Sequence, residues 1–217
     1  MGFLGTWLEG MRIGSDRRPV VTAEELRDVI SAQAAFVAQK VVTEYCQAKA
    51  GRNWHLLSSE RTFLDDLTRS RWESFARVAA GICRTAAMLI PAPVDERRLV
   101  ALYADVLDAQ ARPLHRPNGW ADRVAAFAED LAAAKTAPPL TIRQVADATG
   151  RAVFDVLPIH IAMRRLDGPM VTSAIAFQMA AVAGKLRRRL DGAALAASLA
   201  GGTGGPERPG CGDTLLS

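Results

Sequence analysis

Along most of the chain apolar residues return every three or four positions, the period of an α-helix with one buried face. Thr22 followed by Glu25 forms a capping box, in which hydroxyl and carboxylate satisfy the backbone donors of a first helical turn. After it, Leu26, Ile30, Val37, Val41, Tyr45 and Ala48 mark one face of a long helix that Gly51 stops. A second helix begins near Ser58 or Ser59, carries Leu64, Leu67, Phe75, Val78, Ile82, Ala86 and Leu89 on its stripe, and ends before Pro91. Together they predict a long helical hairpin. Further helices are predicted at about 94–111, 119–134, 141–166 with a break at Pro158, and 169–190. Strand signals are absent from the pattern. The expected fold class is therefore all-α: a bundle of about six helices that opens with the hairpin and ends in a flexible Gly/Pro-rich tail.

The two ends depart from the body. Phe3, Leu4, Trp7, Leu8 and Met11 share one helical face, with Arg12, Arg17 and Arg18 just downstream, so residues 1–21 are expected to form a short amphipathic arm. Such an arm either anchors at a membrane interface, with Trp and Phe at the headgroup boundary, or folds back on its own domain. The first basic residue is Arg12 and Glu9 interrupts the apolar opening, so no export signal is visible. At the other end, six glycines between Gly201 and Gly212 offer too little apolar surface to offset ordering entropy. The expected organisation is an arm over 1–21, one helical domain over 22–191 and a flexible tail over 192–217, with an alternative boundary near 113–118.

The most apolar stretch, Met170 to Gly184, is followed by Lys185, Arg187, Arg188 and Arg189. About 15 residues separate Pro169 from Lys185, short of the roughly 20 a membrane span needs. Val171, Ile175, Met179, Val182, Leu186 and Leu190 instead mark the stripe of a buried-face helix.

Composition narrows the class. The 217 residues, 49% hydrophobic and 23% charged, suit a globular chain with a real core and exclude a disordered or collagen-like one. Cys46, Cys83 and Cys211 match neither a disulfide framework nor a metal knuckle, which points to a reducing, cytoplasmic setting. Arginine outnumbers lysine 23 to 4 beside abundant alanine, a compositional association with GC-rich bacterial genomes. The net charge of +4 is concentrated in residues 141–191, which hold 8 basic and 4 acidic side chains. The cluster Lys185, Arg187, Arg188, Arg189 is suited to phosphate groups of lipid or nucleic acid, to an acidic protein face, or to the negative end of its own helix dipole.

No catalytic spacing is present: no H-E-x-x-H, no E-x-x-H pair, no C-x-x-C, no G-x-S-x-G elbow and no phosphate loop. No catalytic residue, metal ligand or cofactor is assigned. His55 and His115 are expected on loops and His160 on a helix. The carboxylate pairs Asp65-Asp66 and Glu129-Asp130 point about 100° apart on a helix and fit solvated faces.

Unusual residues are densest between Tyr45 and Phe75, where Tyr45, Arg52, Trp54, His55, Arg71 and Trp72 fall together. Arg71 continues the apolar stripe, and a guanidinium there needs a partner: a carboxylate of Glu44, Glu60 or Asp66, or a stack on Trp54 or Tyr45. These six residues predict either a polar clasp that locks the hairpin or a pocket for an anionic or planar ligand. Over residues 141–157, Ala146, Gly150 and Val156 have the relative spacing of a helix-turn-helix, although Arg151, Val153 and Phe154 are poorly suited to it. The reading that conflicts least with the residues is a non-catalytic helical adaptor. It binds a partner protein or an anionic membrane surface, at the inner membrane face, through the arm and the basic cluster. A DNA-binding regulator and a small-ligand binder are the alternatives.

Overall fold

The computed structural model describes residues 18–110 and 119–201. Residues 1–17 of the arm expected over 1–21, the boundary near 113–118, His115, Cys211 and the chain after 201 lie outside the described residues.

Seven helices carry the fold: α1 (Ala23–Ala50), α2 (Arg61–Leu89), α3 (Glu96–Gln110), α4 (Trp120–Ala134), α5 (Ile142–Asp155), α6 (Gly168–Arg189) and α7 (Gly192–Gly201). The expected all-α bundle is what forms, and no strand occurs among the described residues. Thr22 and Glu25 make the capping box that starts α1, and Thr141 and Gln144 make one at the start of α5, each contributing about 1 kcal/mol. Gly51 ends α1 at φ 51°, where a residue with a Cβ is strained.

α1 and α2 form the long hairpin, and their apolar faces, Ile30, Val37, Val42, Phe75, Val78 and Ile82 among them, make one core with α3, α5 and α6. Tyr103 of α3 lies at its centre, with its hydroxyl donating to the Ala76 carbonyl at 3.1 Å and its ring 4.5 Å from that of Phe127 on α4. α5 and α6 approach most closely. A Cβ on Gly150 would sit 2.9 Å from the carbonyl oxygen of Thr172, and one on Gly81 of α2 would sit 2.4 Å from Thr149 Oγ1.

Several expectations need correction. The hairpin turn is not a plain loop: a short 3-10 turn, Gly51–Asn53, leads into a one-turn helix, Trp54–Leu57, which carries His55. Ala48 and Leu64, expected on the buried stripes, are exposed near the turn end of the hairpin. The helix predicted over 141–166 with a break at Pro158 does break there, but its first part already ends at Asp155. Pro158 lacks the amide a continuing helix needs, so helical structure resumes only in the single turn Ile161–Arg164, and His160 is not helical.

The tail expected over 192–217 is corrected at its start. Residues 192–201 form α7 because Ala-rich AALAASLA favours helix and places Leu195 and Leu199 four residues apart, both buried against the core. Asp191 caps it, accepting from the Ala194 amide at 3.1 Å. The last two helices are tied to the start of the chain. Val20 bridges Leu190 in parallel, with Val20 N donating to the Arg189 carbonyl at 2.7 Å and Asp191 N to the Val20 carbonyl at 3.1 Å.

Candidate functional site

The basic cluster occupies the last turn of α6. Two of its members are used internally: Lys185 donates to Gln33 Oε1 at 3.3 Å, and Arg189 Nε donates to the Arg18 carbonyl at 3.1 Å. Arg187 and Arg188 are exposed and make no ion pair among the described residues. Hydrogen bonds within the bundle therefore use part of the cluster and leave two exposed guanidinium groups. The carboxylate of Glu25 accepts from the Val21 and Thr22 amides, which hold its pKa below the ordinary glutamate value, with Arg189 adding a smaller effect of the same sign. The structure thus brings Arg18, where residues 1–17 join the domain, against the basic end of α6.

None of the six residues around the hairpin turn lines the cavity beside α5 or the small one beside Gln33. Arg71 donates from Nη2 to Thr43 Oγ1 at 3.0 Å, joining α2 to α1, and burial lowers its pKa. Beside it the Cys46 thiol is pushed up to about 11 by burial, against the pull of Arg71. Trp54 packs edge-on against Phe63 at 5.9 Å, and Trp72 lies 5.5 Å from Phe75. Arg52 and His55 are exposed, and His55 Nδ1 meets the Arg52 carbonyl at 2.9 Å.

Tyr45 turns to a partner that the sequence did not disclose. Its hydroxyl donates to Asp167 Oδ2 at 2.7 Å, and Lys49 reaches the same oxygen at 2.5 Å. Asp167 is 122 residues from Tyr45, so no local spacing could have paired them. Burial, then the Asp167 hydrogen bond, raises the Tyr45 pKa, while Lys49 and Tyr45 lower that of Asp167 below 3.8. A carboxylate with a lowered folded pKa stabilises fully above its unfolded value and loses that contribution as pH falls through the folded one. The stability difference between the natural chain and Asp167→Asn is therefore expected to be constant above about pH 5 and to shrink at more acid pH. Urea denaturation across that range checks it; a difference that does not change with pH removes Asp167 from the ionic contact.

The sequence also missed an open cavity of about 520 Å³ between α5 and the start of α6, lined by Asp147, Arg151, Phe154, Asp155, Pro169 and Thr172. Arg164 packs against two of these residues, Phe154 and Asp155, at the end of α5. Its guanidinium lies 4.9 Å from the Phe154 ring and donates to the carbonyls of Phe154 and Asp155. Its place just after the Pro158 break was the available signal. Gly150, whose spacing suited the turn of the alternative helix-turn-helix reading over 141–157, lies inside a continuous α5, so no turn forms there. The position is glycine because Thr172 leaves no room for a Cβ. Among the described residues no group of three or more His, Cys, Asp or Glu side chains could hold a metal ion.

No protein family, curated protein or solved structure matches this chain. Its function is read from its own residues.

Proposed function

We propose that the protein is a non-catalytic helical interaction module that docks on an anionic membrane surface. Residues 1–17 supply apolar contacts through Phe3, Leu4, Trp7, Leu8 and Met11, and Arg187 and Arg188 supply charge. The observation that carries this reading is the contact between Arg189 and the Arg18 carbonyl. It joins the two elements at one corner of the bundle, where both can meet the same surface. Each arginine near an anionic surface contributes about 1 kcal/mol, so two of them with an apolar arm suit reversible binding. No described helix is long and apolar enough to cross a membrane, so the contact proposed is with the interface.

Co-flotation of the full chain with vesicles tests this reading. The full chain is expected to float with phosphatidylserine-containing vesicles at low salt, to float less at high salt, and to stay behind with phosphatidylcholine alone. Removing residues 1–17 abolishes flotation, and Arg187→Ala with Arg188→Ala weakens it roughly 30-fold, the effect of about 2 kcal/mol. A full chain that stays in the soluble fraction with anionic vesicles overturns the proposal.

A further inference from the structure

α6 keeps one apolar stripe facing outward. Met170, Ala174, Phe177 and Ala181 follow at spacings of 4, 3 and 4 and all are exposed, with Met170 at 63% and Phe177 at 72%. The opposite stripe of the same helix, Val171, Ile175, Met179, Val182 and Leu186, fills the core. A helix with two apolar stripes calls for a cover on each side, since exposed side chains the size of phenylalanine and methionine in one row favour contact with another apolar surface.

The position of residue 18 says what lies within reach. Arg18 is held at Arg189, the last residue of α6, and the Val20–Leu190 bridge is parallel, so the chain before Val20 runs back beside the end of α6. From Arg189 to Phe177 is about 18 Å along the helix, and to Met170 about 28 Å, at about 1.5 Å per residue. Seventeen residues span about 25 Å as a helix and more than about 50 Å extended. The sequence of this segment supplies a matching apolar face: Phe3, Leu4, Trp7, Leu8 and Met11.

We infer that residues 1–17 dock in cis on the outward stripe of α6, with Phe177 as the main contact, whenever no membrane competes for them. The inference takes from the proposed function only the apolar face of this segment. It makes the two contacts mutually exclusive, so that the same side chains lie either on α6 or in the headgroup region.

Hydrogen exchange of the full chain without lipid tests it. Amides of residues 3–11 are expected to exchange at least tenfold more slowly than in a free peptide of residues 1–17. Met170→Asp with Phe177→Asp restores the peptide rate; both positions are exposed, so the variant folds, as its unchanged melting curve verifies. Light scattering reports the mass of a single chain. Exchange at the peptide rate in the natural chain overturns the inference, as does protection that survives the double substitution. Protection accompanied by a doubled mass also overturns it, because a second copy is then the cover. None of these readings involves lipid, so failure here leaves the flotation result standing, and failure of flotation leaves this one standing.

Discussion

Gly150→Val is expected to lower the stability of the bundle by about 3 kcal/mol, the upper part of the range for forcing extra carbon into a filled contact. A bare Cβ at this position already lies 2.9 Å from Thr172 Cγ2 and from the Thr172 carbonyl oxygen, and 3.2 Å from its Cα. Two of those three atoms are backbone, so relief requires α5 and α6 to move apart. Gly-to-Ala replacement inside a helix ordinarily gains about 1 kcal/mol, which makes a loss at this position a measure of the clash rather than of propensity. Valine adds two methyl groups to the same space and a less favourable helix preference. Urea denaturation checks it, with Ala148→Val as the control, because Ala148 is exposed on the same helix and its change is expected to stay within about 0.5 kcal/mol. Equal effects at the two positions would mean that α5 and α6 separate without cost.

Leu195→Ala is expected to cost about 3 kcal/mol, in the range for truncating a buried leucine. Leu195 is fully buried, and α7 has little else to hold it. Its ten residues are too few to be stable alone. The remaining attachments include the smaller burial of Leu199, the Asp191 cap, the Ala23 amide to Ser198 Oγ at 3.2 Å, and Arg98 Nη2 to the Ala200 carbonyl at 2.9 Å. The loss is expected both in the urea midpoint and as faster exchange of the α7 amides. Unchanged stability would return residues 192–201 to the tail, where glycine content alone had placed them.

The helices were legible because their signal is local. Capping boxes at Thr22 and Thr141, a stop at Gly51 and stripes such as Val171 to Leu186 depend on residues a few positions apart. The same pattern foretold which face of α6 is buried. It was silent on the other face: the exposure of Phe177 depends on where every other helix lies. The candidate site was less legible for the same reason. Arg71 lies partly buried on the side facing α1, where it reaches the Thr43 hydroxyl, a contact that no spacing along the chain pointed to. Tyr45 was grouped with its sequence neighbours, while its hydrogen bond goes to Asp167, 122 residues away along the chain. Polar pairs of this kind are set by tertiary contact. Gly150 shows the converse, since one spacing was compatible with a turn and with a close helix crossing, and only the packing of Thr172 against it decides.

The tie between the first and last described segments gives the bundle the topology of a ring. Arg18 and Arg189 are 171 residues apart, and Ala23 and Ser198 are 175 apart. The entropy of closing a ring grows with the logarithm of its circumference, about 0.6 kcal/mol for each doubling. Lengthening the α4–α5 connection at 135–141 by a handful of residues changes that circumference by a few per cent, and the closure free energy by far less than one hydrogen bond contributes. Such a connection is free to accept inserted sequence while residues 1–17 still depart from the same corner.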